Sequence, residues 1–155
     1  YDVVLKIIQA QNNIPNLPKR LKLLAGDGLY GDKILQKSFE GLILAPGWFE
    51  KEENGKEKEF TKKASARWSG QISWDTATSY DATKAFIQAI SMSENPNRET
   101  VLQNLKSVQL EPKDTSGDEL NFSKGERKQK SVIVKLVGGK RCPPGEQFCF
   151  ELVSH

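Results

Sequence analysis

The chain has little of what hydrolytic and metal chemistry draw on. Of its 155 residues one is histidine, His155 at the last position, and two are cysteines. A histidine at the terminus cannot orient a serine nucleophile, and two cysteines without a nearby histidine cannot complete a four-ligand zinc site. No two acids share a strand tip in a pattern that suggests hydrolysis, so neither catalysis nor a bound metal or cofactor is expected. Long hydrophobic runs are missing too. The longest mainly apolar stretch falls well short of the roughly 20 residues a spanning helix needs, and no basic, apolar, small-residue opening reads as a signal peptide. Tyr1-Asp2-Val3-Val4-Leu5 starts without Met and reads as the middle of a longer protein, so a missing signal does not argue for the cytoplasm. Charge of one sign is lacking as well. Lys and Arg number 23 against 20 Asp and Glu, interspersed, which favours solubility and gives no nucleic-acid surface.

What is there alternates between helix and strand. A turn-spaced apolar stripe through Tyr1, Val4, Ile7 and Ile8 predicts a helix to about Gln11, ended by Asn12 to Pro18. A strand follows at Leu21 to Ala25, then a short helix from Asp32 to about Phe39, then a strand over Gly41 to Ala45 that stops at Pro46-Gly47. This order is the grammar of a parallel sheet flanked by helices. The charged run Glu50 to Glu59 reads as a solvated connection or helix face. Helices are predicted from Phe60 to Trp68 and from Asp75 to about Met92, the second with Ala77, Tyr80, Ala82, Ala85, Phe86, Ala89 and Ile90 on its apolar face. Trp68, Trp74 and Tyr80 at helical spacing beside alanines are expected in the core. A third helix runs to about Leu105, with Asn97 as N-cap and Thr100 where a capping box wants Glu or Gln. At the end, Val132 to Val137 and Phe148 to Val153 make a closing hairpin.

One acid stands out. Leu21-Lys22-Leu23-Leu24-Ala25-Gly26-Asp27-Gly28 is an apolar strand that stops at a glycine-flanked carboxylate. Open α/β sheets bind ligands outside the carboxyl ends of their strands, so Asp27 is the leading candidate for a small-molecule contact. The bland alternative is a turn-capping aspartate. Gly26 to Gly31 also spells G-x-G-x-x-G, which admits a nucleotide-binding, Rossmann-like enzyme fragment. Against it stand a carboxylate where pyrophosphate would approach, a short following helix, and no acid at the tip of the next strand to take a ribose hydroxyl.

The cysteines flank Pro143-Pro144-Gly145. That turn lets two extended arms return side by side and bring the Cα atoms of Cys142 and Cys149 into the roughly 4.4–6.8 Å range of a disulfide. A bridge would put the protein in an oxidising compartment, whereas two free thiols would suit a reducing one.

Together these segments carry a resemblance. Gly26-Asp27-Gly28-Leu29-Tyr30, then Phe39 to Trp48, then Ser73 to Thr83, then Thr115-Ser116-Gly117 with Leu120 to Arg127, resemble the C-terminal half of a type I periplasmic binding protein. Within that class the chain is most similar to the branched-chain amino-acid receptors of ABC importers, whose ligand-binding fold also occurs in class C receptor ectodomains. The resemblance implies an α/β fold with parts of two lobes and hinge crossings. Residues 1–45 would be part of the second lobe, 46–117 a hinge crossing and helices of the first, and 118–155 the last crossing and closing strands. It also implies a non-catalytic, periplasmic or otherwise extracytoplasmic module that closes on an amino acid or similar zwitterion, with an ABC permease or a membrane sensor as partner. Asp27 would receive the ligand ammonium, with Gly28, Tyr30 and Trp48 lining the cleft. The groups that take the ligand carboxylate would lie in the N-terminal half, outside this chain. An interaction domain of the same fold without a ligand is a third reading.

Overall fold

A computed structural model describes residues 2–15, 22–50, 56–68, 72–122 and 132–153. In chain order the elements are α1 (Asp2–Asn13), β1 (Leu24–Gly26), β2 (Ile43–Ala45), α2 (Lys56–Trp68), α3 (Trp74–Ser91), α4 (Arg98–Leu105), β3 (Gln109–Leu110), β4 (Leu120–Asn121), β5 (Val134–Gly138) and β6 (Phe148–Leu152). The chain divides into two compact units, one of residues 1–47 with 131–155, the other of residues 48–130.

The first unit is built on a four-stranded sheet in the order β1-β2-β5-β6. β1 and β2 pair parallel, Leu24 opposite Ile43 and Gly26 opposite Ala45, as their alternation with helical segments predicts. β5 then pairs antiparallel with both β2 and β6, so the sheet is mixed. β5 and β6 form the expected hairpin, with Val137 opposite Cys149 and Gly138 opposite Phe148. Leu44, Val134, Leu136 and Val137 are buried and supply the strands' share of the core, joined by Ile34, Phe39 and Leu42.

The helix predicted over Asp32–Phe39 is not formed. Two three-residue 3-10 turns, Asp32–Ile34 and Lys37–Phe39, stand in its place, separated by an extended Gln36 at φ −150° and ψ 159°. Burial explains the break. Ile34 and Phe39 are both fully buried, yet five residues on a continuous α-helix would set them about 140° apart around the axis. The extended break lets both reach one core.

The second unit packs α2, α3 and α4 with the short antiparallel pair β3 and β4. One cluster joins Ala85 and Ala89 of α3 to Val108, Leu110 and Leu120, and another joins Trp48, Phe60, Ala64 and Ala77. The buried line of α3 is Ala77, Asp81, Ala85 and Ala89, every fourth residue. It is narrower than predicted: Ala82 is exposed, and Phe86 and Ile90 are 51% and 45% exposed. Small side chains occupy the tight contact line and the larger apolar ones are left on its flank. Trp74 and Tyr80 pack against the core as expected, but Trp68, the last residue of α2, is 55% exposed.

The start of α4 has a capping box after all. Asn97 Oδ1 accepts the Glu99 and Thr100 N–H groups, each at 3.0 Å, and Thr100 Oγ1 accepts the Asn97 N–H at 2.9 Å. A threonine hydroxyl reaches as far as this reciprocal bond requires, so Glu or Gln is not needed. Among the described residues no helix is long and apolar enough to cross a membrane.

Candidate functional site

The carboxyl ends of β1 and β2 lie side by side, since Gly26 and Ala45 are the last pair of their parallel register. Asp27 follows immediately and opens a 3-10 turn, Asp27–Leu29, closed by the Tyr30 N–H donating to the Asp27 carbonyl at 2.8 Å. The turn uses the backbone of Asp27 and leaves the side chain idle. Its carboxylate is exposed and makes no hydrogen bond or ion pair among the described residues. No side-chain cap forms at this turn, so the turn-capping alternative has no bond to rest on. An unpaired acid at the end of a parallel strand pair is suited to receive a cation or ammonium group through a charge-assisted hydrogen bond.

The neighbours predicted alongside it are distributed unevenly. Gly28 is exposed within the same turn. Tyr30 is half-buried, and its ring packs on Phe150 of β6 with centroids 4.5 Å apart and planes tilted by 32°. Trp48 falls on the other side of the division between the two units in the chain. It belongs to the second unit, where it is 2% exposed, meets Phe60 edge-on at 6.0 Å, and donates from Nε1 to the Ser116 carbonyl at 3.0 Å. A buried indole with an aromatic neighbour and a bonded nitrogen contributes to the core of its own unit.

The G-x-G-x-x-G reading loses its geometry. Three-residue turns follow β1 where the fingerprint needs a helix N-terminus aimed at phosphate. No other part of the chain lies within 4 Å of a Cβ built on Gly26 or Gly28, so neither glycine is required by packing within the protein. A cavity of about 360 Å³ in this unit lies against α1 and the following turns, lined by Asp2, Leu5, Lys33, Gln36 and Phe39; Asp27 is not part of it.

A second carboxylate, which sequence reasoning passed over, has the opposite setting. Asp81 is 1% exposed on α3. It accepts the Ser116 N–H at Oδ1 (2.6 Å) and the Ser116 Oγ–H at Oδ2 (2.7 Å). With Trp48 Nε1 on the carbonyl, all three polar groups of Ser116 are engaged. Next to it Thr115 Oγ1 donates to the Asp118 carbonyl at 2.6 Å and accepts the Gly117 N–H at 3.2 Å. Gly117 has φ +126°, a conformation a side chain would strain. The one signal that could have exposed Asp81 is its position, an acid exactly in step with Ala77, Ala85 and Ala89.

Cys142 and Cys149 are bridged, with Cα atoms 5.5 Å apart across the turn between β5 and β6. The same hairpin carries an ion pair from Arg141 to Glu151 at 3.1 Å and the Phe148 ring over Gly138. A Cβ at Gly138 would come within 2.8 Å of that ring, so glycine is what lets the aromatic lie flat on the partner strand. Among the described residues no group of histidine, cysteine or acidic side chains could hold a metal ion.

The fold is that of the type I periplasmic binding proteins, as the motif order implied. The structure is similar to the leucine binding protein LivK from Thermotoga maritima MSB8, with a TM-score of 0.71 at 19% identity over 97% of this chain and 41% of that one. It is similar also to an ABC transporter substrate-binding protein from Desulfitobacterium hafniense (TM-score 0.66, 16% identity, 94% of this chain and 39% of that one). A third match, an ABC transporter substrate-binding protein of Desulfitobacterium hafniense in complex with Leu, has a TM-score of 0.65 at 15% identity, over 94% of this chain and 39% of that one. No family model matches the sequence, and no curated protein matches it significantly. The chain spans about two-fifths of the length of the solved proteins it resembles.

Proposed function

We propose that this chain is the C-terminal half of an extracytoplasmic solute-binding protein that takes an amino acid or similar small zwitterion between two lobes. The observation that carries this reading is the likeness to LivK over 97% of the chain, in a fold that leaves Asp27 unpaired at the end of the parallel strands. Asp27 receives the ligand ammonium, a bond of the charged class that contributes roughly 1.5–3 kcal/mol. Gly28 offers backbone without a side chain in the way, and Tyr30, steadied on Phe150, borders the turn. Residues 1–45 and the final hairpin then belong to the second lobe, and the helices of the second unit to the first.

The remaining half of the same protein supplies the groups for the ligand carboxylate. In support, β1 is at the end of the described sheet and Leu24 on it is 75% exposed, as expected of a strand that another strand or helix covers. A ligand that touches both lobes stabilises only the closed arrangement, so binding shifts the population toward it. A permease of the ABC class, or a membrane sensor, reads that closed form. The disulfide agrees with an oxidising, extracytoplasmic location.

Calorimetric titration of the full-length protein against the proteinogenic amino acids and against NAD tests the reading. Saturable binding of one or a few amino acids and none of NAD is expected. NAD binding, or no binding of any zwitterion, would overturn it.

A further inference from the structure

The second unit contains a cavity of about 170 Å³ that the solute-binding reading does not use. Its inner wall is apolar: Phe60 and Ala64 of α2 are buried, and Tyr80 of α3 is half-buried with its ring 5.1 Å from that of Phe60. Its mouth is basic. Lys63 and Arg67, one turn apart on α2, border it, and neither forms an ion pair with a described residue. The Arg67 guanidinium lies 5.9 Å from the centre of the Trp68 ring, which is itself half open to solvent at the rim. Across from them Lys113 is already engaged by Glu111 at 3.0 Å.

We propose that this cavity is a binding site for a single-ring aromatic carboxylate, with the ring against Phe60, Ala64 and Tyr80 and the carboxylate between Lys63 and Arg67. Size and charge both point there. A cavity of about 150 Å³ holds a benzene ring, so this one accommodates a ring and leaves the charged group at the mouth. With Lys63 and Arg67 set against the single acid Glu59, the rim of this apolar hollow keeps a positive excess that attracts an anion and discriminates against a neutral ligand of equal shape. Trp68 adds an aromatic face beside Arg67, where a planar carboxylate-bearing ring can stack. Ala64 matters by its smallness: it leaves the space between the two basic side chains open at the floor.

Two-dimensional NMR of the 155-residue chain, titrated with benzoate, benzyl alcohol and acetate, tests the site. Benzoate is expected to shift the Ala64 methyl and Trp68 indole resonances saturably, with a Kd on the order of 1 mM. Benzyl alcohol and acetate should each bind at least about tenfold more weakly, because each lacks one of the two recognised parts. Lys63→Gln and Arg67→Gln alter exposed residues, keep the fold, and should each weaken benzoate roughly tenfold. Equal binding of benzoate and benzyl alcohol would reduce the feature to an apolar hollow, and acetate binding as tightly as benzoate would reduce it to surface charge. Either result, or benzoate shifts that persist unchanged in both glutamine variants, overturns the proposal.

Discussion

Asp27 and Asp81 are the same residue type in opposite circumstances. Asp27 stands exposed at the end of β1 with its carboxylate unspent, while Asp81 is enclosed on α3 with both oxygens bonded to Ser116. The difference separates two uses of a carboxylate. A buried acid whose lone pairs are taken by its own chain holds the fold together, and removing it leaves other groups unsatisfied. An exposed acid that holds nothing contributes little to stability and is free for a ligand. Substitutions at the two positions should therefore move different observables.

The largest effect on stability is expected at the enclosed site. Asp81→Ala strands the N–H and hydroxyl of Ser116 without partners, each worth about 1–3 kcal/mol when buried, so the second unit should lose roughly 3 kcal/mol or more in urea unfolding. A loss within about 0.5 kcal/mol, the range of ordinary surface substitutions, would erase the contrast. Next comes the hairpin. Reducing the Cys142–Cys149 bridge, or replacing both residues by Ala, removes a short closed loop and should destabilise the first unit by about 2.5 kcal/mol, read from its thermal midpoint with and without reductant. Trp48→Phe keeps an aromatic ring beside Phe60 but deletes the donor to the Ser116 carbonyl, and should cost about 1–2 kcal/mol without altering ligand affinity. A large affinity loss with unchanged stability would return Trp48 to the binding surface. The smallest change belongs to Asp27→Asn, expected to stay within about 0.5 kcal/mol in unfolding experiments.

Legibility in the sequence followed the same divide. Elements marked by periodicity or by punctuation were readable: α1, α3, α4, the parallel pair and the final hairpin, and the strand-tip position of Asp27. The Pro143-Pro144-Gly145 turn likewise announced the bridge it allows. What failed depended on partners distant in sequence. The turns at Asp32–Phe39 follow from burying both Ile34 and Phe39, a requirement set by the sheet they pack against and invisible in the local pattern. For Trp48, likewise, the local sequence says nothing of Ser116, its hydrogen-bond acceptor 68 residues away. Asp81 was overlooked for the same reason: an acid on an apolar stripe acquires meaning only when Ser116 arrives to meet it.

The central claim, that the idle carboxylate at the end of β1 receives a ligand ammonium, is tested most directly by a double-mutant cycle in the full-length protein. Calorimetry would compare wild type and Asp27→Asn, each with the preferred amino acid and with its analogue lacking the amino group. The account expects the substitution to weaken the amino acid by roughly 1.5–3 kcal/mol and to leave the desamino analogue nearly unchanged, giving a coupling of similar size. Equal losses for both ligands, or none for either, would contradict it.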